Sequence, residues 1–431
     1  MLFCGRLSIV KYCFRQESKR LRDDIRSLAS TSLAHFINDG SMYVFVMLYP
    51  ILVNSYYISV LEVGVLAALQ STFSISVSPF IGRWSDAKRN YGTLIAQGML
   101  FLGLGIGGFA FATLYFTGYS LFLALIPFSA ISGVGSAFYH PLGATVLSEQ
   151  WRGKNLGRAM GINGSIGSVG RAIYPVIVVA LVVSLTVPSI FALSIAAFAT
   201  GLIVFLMLRS FTSMKGISGK DIGKEAEQSI PIRALMPSLL ALTIVSFIRG
   251  IFTIGIVSLI PTYLTKVGNI SYGYDLGIIV VIMNATAIFS QPFFGWLADR
   301  IGRRLALGIS NLGSVIAMLL FLTTSNSELL IVYLAMFGLF TLTAFPLIMS
   351  LTSEIVPRRA STIANSIVWG VGNVGGGAVG PVLIGLLAEP ALLNSLNSSF
   401  YVVTLIGIIS VVLMPLVPKP RARAEAIQGV H

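Results

Sequence analysis

Apolar residues run along this chain in long blocks, separated by short polar stretches rich in charge and glycine. A helix needs about 20 apolar residues to cross a bilayer. Twelve blocks meet that length, at about 28–54, 62–82, 93–116, 120–147, 159–183, 188–208, 237–264, 274–297, 305–323, 329–352, 362–387 and 398–417. The longest polar interval, 209–236, falls between the sixth and seventh blocks and reads as a linker. The pattern predicts an all-α membrane protein of twelve helices in two six-helix bundles, 28–208 and 237–417, with tails at 1–27 and 418–431.

The second block returns as the eighth, 213 residues later and without a gap. Glu62 maps to Asp275, Gly64 to Gly277, Pro79-Phe80 to Pro292-Phe293, Gly82 to Gly295 and Asp86 to Asp299. Phe36-Ile37 and Pro50 match Phe247-Ile248 and Pro261 at an offset of 211. Ser148-Glu149 matches Ser353-Glu354 at 205, and Pro175 matches Pro381 at 206. The order is kept and only loop lengths drift, so the halves are parallel repeats related by an axis along the membrane normal, a common construction of secondary transporters.

Composition agrees. Hydrophobic residues make up 55% and charged residues 10%, and the mean hydropathy is +0.86. A soluble domain carries about 25% charge. The net charge of +13 is placed unevenly. With the N-terminus in the cytoplasm, 26 of the 29 Lys and Arg residues fall on cytoplasmic segments, while Lys266 lies outside. Glu62, Asp275, Glu328 and Glu389 fall at the outer ends. This asymmetry predicts a multi-pass protein of the cell membrane with both termini on the cytoplasmic side. The positive charge then serves topology and anionic lipid, and no soluble basic face exists for nucleic acid. Residues 1–27 lack a signal-peptide cleavage site. They read as an unstructured tail, or alternatively as an amphipathic segment on the membrane. Cys4 and Cys13 lie there, on the reducing side, and no disulfide is expected.

Five ionisable groups fall at membrane depth: His35, Asp39, His140, Arg171 and Arg249. A charge there costs about 2.5–3.5 kcal/mol on insertion scales, so each needs a partner or water. His35 and Asp39 are four apart and share a helical face. Arg249 takes the repeat position of Asn38, beside Asp39, so Asp39 and Arg249 are expected to meet across a cavity. Asp39 with His35 is the candidate proton site. Arg249, Arg171, His140 and Asn38 are the candidate substrate contacts, against the plainer reading of a structural ion pair and capped histidines.

The loop after the eighth block, Gly295-Trp296-Leu297-Ala298-Asp299-Arg300-Ile301-Gly302-Arg303-Arg304, resembles the signature Gly-x-Leu-Ala-Asp-Arg-x-Gly-Arg-Arg of the major facilitator superfamily. The first copy keeps Gly82 and Asp86. His35-x-x-x-Asp39, Phe138-Tyr139-His140-Pro141 and Gly170-Arg171-Ala172-Ile173-Tyr174-Pro175 resemble the fosmidomycin-resistance-type efflux group, with Tyr174 where a glycine is usual. The resemblance implies that the first, fourth, seventh and tenth helices line a cavity. It also implies that the two halves rock across glycine-rich interfaces, here Gly161, Gly164, Gly167 and Gly170 and the cluster Gly372 to Gly380.

A cytoplasmic latch follows. Gly82 and Gly295 permit close crossings. Asp86 and Asp299 are aimed at the starts of the eleventh helix (Ser361, Thr362) and the fifth (Asn155), where a carboxylate gains about 0.3–1 kcal/mol. Glu149 and Glu354 are placed to pair with loop arginines such as Arg300 and Arg303. No ATP-binding loop, metal-ligand spacing or nucleophile constellation is visible, so no cofactor and no enzymatic activity are expected. The expected function is proton-coupled efflux of a drug or toxic small molecule by a monomer. The alternatives are proton-coupled uptake of a small organic anion and, from another class, a non-transporting membrane sensor.

Overall fold

In a computed structural model of the protein, the described residues form twelve helices long and apolar enough to cross a membrane. Numbered as spans 1–12, they are Leu21–Asn54, Val60–Gly82, Tyr91–Tyr115, Gly118–Gln150, Leu156–Leu185, Val187–Leu208, Met236–Lys266, Tyr274–Ile301, Arg303–Thr323, Ser327–Ile355, Ser366–Ala388 and Leu396–Leu416. The structure describes the backbone of residues 2–88, 90–151, 154–209, 232–356 and 364–417, and side chains within these except at 2–20, 83, 86–88, 154–155 and 232–235. Most of the predicted linker, the tail at 418–431, Ser361 and Thr362 lie outside the described residues.

Span ends follow local chemistry. Ser59 and Glu62 form a reciprocal capping box at span 2, with Ser59 N–H donating to Glu62 Oε2 at 2.7 Å and Glu62 N–H to Ser59 Oγ at 3.1 Å. The repeated acid at the start of this span is therefore a helix cap. Asn90, Asn326 and Ser395 cap spans 3, 10 and 12 with their side-chain oxygens. The N-terminal region departs from the expected unstructured tail, because one helix runs from Leu2 to Asn54. Its residues beyond 20 dock on other spans. Gln150 Nε2 donates to Asp24 at 2.7 Å, Trp151 Nε1 to Ser27 Oγ at 3.1 Å, and an Arg26 guanidinium nitrogen to the Met207 carbonyl at 2.8 Å.

The two bundles repeat each other's contacts. Span 1 lies on span 5 as span 7 lies on span 11, and span 3 lies on spans 4 and 6 as span 9 lies on spans 10 and 12. The repeat is visible at single atoms. Gly170 faces the Phe36 carbonyl, and Gly376, 206 positions on, faces the carbonyl of Phe247. A Cβ on either glycine would overlap that oxygen. Only glycine allows the two backbones so close.

Between the bundles the broad contacts are span 2 on span 11, span 5 on span 8, and span 1 on span 7. They gather away from the loops that carry most of the basic residues. Gly64 abuts the Pro381 carbonyl, Gly385 abuts the Leu61 backbone, and Gly277 meets Val176 and Val179. Asn54 Nδ2 donates to Thr265 Oγ1 at 3.3 Å, and the Tyr43 hydroxyl donates to Asn284. At the basic face the picture reverses. A Cβ on Gly82, Gly157, Gly161 or Gly295 would meet nothing within 4 Å. On span 4, His140, Ala144 and Ser148 form one exposed stripe. The halves are thus closed at the opposite face and parted at the basic face.

Gly64→Val tests this closure. The added Cβ would strike a backbone oxygen that cannot yield, and such overpacking costs about 1–3 kcal/mol. The population is expected to shift away from the conformation open at the basic face. A cysteine at Ala144 should then react several-fold more slowly with a water-soluble maleimide. Unchanged labelling in protein recovered intact from membranes would show that this contact does not control closure.

Candidate functional site

Asp39 lies at the centre of a polar cluster formed by spans 1, 4 and 5. Its carboxylate is 3.2 Å from His35 Nε2, one helical turn earlier, and 3.5 Å from His140 Nε2 on span 4. Arg171 on span 5 makes a direct ion pair with Oδ2 and also donates to Ser168 Oγ at 2.8 Å. Asn38 Nδ2 donates to Oδ1 at 3.1 Å. The Asp39 side chain is only 4% exposed, whereas that of His140 is 59% exposed, at one end of the exposed stripe on span 4. A buried carboxylate is tolerable here because a cation and three further donor groups surround it.

Asn163 and Ser32 in this cluster carried no sequence signal, and Tyr139 entered only as part of the Phe138-Tyr139-His140-Pro141 resemblance. Asn163 Oδ1 sits 2.9 Å from His35 Nδ1 and accepts the Tyr139 hydroxyl at 3.0 Å, while Asn163 Nδ2 faces Ser32 Oγ at 3.5 Å. The His35 ring also lies 4.7 Å from the Tyr139 ring and occupies the notch left by Gly167, where a Cβ would overlap it. Asn163, at seven residues from Gly170, sits in a glycine series that reads as packing alone.

His35, Asp39 and His140 present ligand atoms within 4.8 Å of one another. Two imidazoles and a carboxylate are a donor set that a transition-metal ion accepts. The Arg171 guanidinium already on the carboxylate opposes a second cation at that point.

Arg249 is placed differently from the expectation. It does not meet Asp39, whose cationic partner is Arg171. Arg249 turns into its own bundle, 2% exposed. It donates to Asn311 Oδ1 at 2.8 Å, the Thr341 carbonyl at 2.7 Å, Thr253 Oγ1 at 3.3 Å and Asn373 Oδ1 at 3.4 Å. The reason is angular. Arg249 and Asn38 share a repeat position, and that position lies about 100° around the helix from Asp39. The repeat position of Asp39 itself is Gly250, which faces the Asn373 carbonyl.

The partners of Arg249 are also unusual. Span 10 breaks between Thr341 and Ala344, and the first part of span 11, Ser366–Val374, is wound as a π-helix. The break frees carbonyls that need donors. Arg249 satisfies Thr341, Gln291 Nε2 donates to Leu342 at 3.0 Å, and Ser310 Oγ donates to Phe340 at 2.7 Å. A cation at the C-terminus of a half-helix is favourable for the same reason.

The predicted latch residues separate by half. Arg303 forms a direct ion pair with Glu354 and lies 3.6 Å from Asp299. Arg300 stacks 4.3 Å over Trp296. Asp299 is 74% exposed, so it is not docked on span 5 in this conformation. Glu149 accepts the Tyr91 hydroxyl at 2.8 Å. The side chains of Asp86 and Asn155 lie outside the described residues. Gly82 and Gly295 face open space here, so the close crossings expected at them are absent from this conformation.

Residues 31–282 and 269–430 match the family model described as Major Facilitator Superfamily. The chain is 26% identical over 389 residues to the uncharacterized MFS-type transporter YfnC of Bacillus subtilis (strain 168), covering 88% of this chain and 91% of that one. It is 21% identical to the fosmidomycin resistance protein of Escherichia coli (strain K12), covering 91% and 94%. Among solved structures, a bacterial homolog to the human lysosomal transporter Spinster superposes with a TM-score of 0.74 at 16% identity, covering 92% of this chain and 97% of that one. The D-xylose-proton symporter superposes at 0.70 with 15% identity, covering 92% and 98%. With twelve spans in two repeated bundles and a family match over most of its length, this chain belongs to the Major Facilitator Superfamily of secondary transporters.

Proposed function

We propose that the protein exports drug-like or toxic small molecules in exchange for protons, with the basic face toward the cytoplasm. One observation carries this reading: a buried carboxylate, Asp39, is ringed by His35, His140 and Arg171 beside the exposed stripe of span 4, which we read as the wall of a cavity open at the basic face. Titratable groups at membrane depth suit proton relay. The cavity is open on the side from which an exporter loads. The printed names of two relatives support the substrate class. One is the fosmidomycin resistance protein; the other is the multi-drug resistance efflux pump PmrA of Streptococcus pneumoniae, 25% identical over 370 residues. Uptake of an organic anion has less support, because Arg171 is paired with Asp39 and Arg249 is enclosed by its own bundle.

The test is transport into proteoliposomes under an imposed pH gradient, with fosmidomycin and ethidium as probes. Accumulation should follow the proton gradient and collapse with a protonophore. Probe movement that ignores the gradient would sink the coupling.

The latch has its own expected result. Asp299 is exposed and bound only at 3.6 Å here, so Asp299→Asn should change thermal stability by no more than about 0.5 kcal/mol. Transport should nevertheless fall several-fold, because the carboxylate docks only when the basic face closes. Wild-type transport and wild-type accessibility of the Ala144 position would remove Asp299 from the gate.

A further inference from the structure

We infer that the transported proton is carried on Nε2 of His35 and not on Asp39, and that Asn163 and Tyr139 are positioning residues that make both His35 ring nitrogens donors. This deepens the proton-coupled reading above and rests on it.

The inference starts from Tyr139. Its ring is buried, 2% exposed, and a buried hydroxyl proton needs an acceptor. That acceptor is Asn163 Oδ1, 3.0 Å away. The Asn163 amide therefore presents its oxygen, not its NH2 group, to the pair Tyr139 and His35. Turned over, it would leave the Tyr139 proton facing two amide hydrogens. The same oxygen lies 2.9 Å from His35 Nδ1, so Nδ1 carries a proton.

The other ring nitrogen, Nε2, faces Asp39 Oδ2 at 3.2 Å. A bare lone pair there would point at a carboxylate oxygen and be repelled. With Nδ1 already protonated, contact at Nε2 requires a second proton, and the ring is an imidazolium. Asp39 does not hold that proton. Arg171 makes a direct ion pair with its Oδ2, and Asn38 donates to its Oδ1. A guanidinium in contact favours the ionised form of a carboxylate.

Among the described residues, the titratable and charged groups in contact with the ring or with Asp39 come from three spans, and the Tyr43 hydroxyl, one turn beyond Asp39, is bound to Asn284. Asp39 comes from span 1, Tyr139 and His140 from span 4, and Arg171 from span 5 by way of Asp39. With His35 protonated the cluster bears one net positive charge. When the Nε2–H bond breaks and the proton passes to water, the ring keeps its Nδ1 proton and the cluster becomes neutral. Nε2 then presents its lone pair to Asp39, and the ring is driven from its seat over Gly167. The ring joins span 1 to span 5 through Asn163, so losing the proton loosens that joint. The exposed His140 ring, 5.5 Å from His35, stands on the cavity side.

The test needs no known substrate. The chain has three histidines, so full-length protein labelled with 15N-histidine in nanodiscs gives three ring signals, assigned through His140→Asn and His431→Asn. At one mildly acidic pH, wild-type His35 should carry protons on both nitrogens. In Asn163→Leu it should carry one, because Nε2–H alone then satisfies Asp39. Tyr139→Phe should also give one, since the amide is free to turn. A singly protonated His35 in the wild type, or the same ring state in all three proteins, overturns the inference. Transport separates the two levels of the reading, again with fosmidomycin and ethidium. His35→Gln should keep exchange at equal pH and lose accumulation under a pH gradient. Loss of accumulation in Asp39→Asn but not in His35→Gln overturns the His35 assignment and spares proton coupling. Accumulation retained in both variants overturns the coupling reading itself.

Discussion

Asp39→Asn is expected to abolish accumulation against a pH gradient while leaving part of the exchange at equal pH. The substitution keeps the size of the side chain and removes the one anion of the cluster. Arg171 then loses its counter-charge, and His35 and His140 lose their common acceptor. A proton on His35 would add a second positive charge with no anion beside it. The gradient-driven initial rate should drop at least about tenfold, equivalent to ~1.4 kcal/mol in the barrier. Exchange survives in part because the cavity remains open and Arg171 is partly hydrated, its side chain 28% exposed. Uptake with and without a pH difference, in the same liposomes, checks the split. Equal loss of both activities would mean that Asp39 supports the structure rather than the coupling. Exchanging the charges of Asp39 and Arg249 should give an inactive protein, since the two residues face different partners. If that swap restored transport, the separation of the two sites would be wrong.

Arg249→Ala is expected to damage the C-terminal bundle itself. The guanidinium spans the break in span 10 and the π-helical start of span 11, with Asn311 as a third point. Removing it leaves the Thr341 carbonyl and three side-chain oxygens, of Asn311, Thr253 and Asn373, without this donor in a buried interior. Each orphaned group costs about 1–3 kcal/mol. The protein should show a lower unfolding temperature and poor recovery from membranes, and exchange and accumulation should fall together. Arg249→Lys should not restore it, because a single ammonium cannot reach acceptors that a planar fork reaches separately. Wild-type stability with a selective loss of anion binding would instead make Arg249 a substrate ligand.

Much of the architecture was legible in the residues alone. Block lengths set the spans, because a bilayer accepts only helices of a certain apolar length. The offsets of 213, 211, 205 and 206 revealed the repeat, and its physical basis is visible where Gly170 and Gly376 meet the carbonyls of Phe36 and Phe247. The spacing of His35 and Asp39 placed both on one face, since four residues make one turn.

The rest depended on how helices face one another, which no one-dimensional spacing contains. Repeat position alone suggested Arg249 for Asp39, yet a single residue of offset rotates a side chain by about 100°. That rotation sends Arg249 to Thr341 and leaves Asp39 to Arg171, 132 positions away in the chain. Nothing in the sequence marked Asn163 and Tyr139 as partners, although Tyr139 lies in the Phe138-Tyr139-His140-Pro141 run, because an amide and a phenol become a positioning pair only when a third residue fills the gap between helices. The break in span 10 was likewise hidden within an unbroken apolar block, since its cost is met by donors from spans 7, 8 and 9. The sequence by itself thus determined which segments cross the membrane and how they repeat. Only the tertiary structure decided which cation each buried anion meets, because that choice rests on helix rotation and on contacts between residues far apart in the chain.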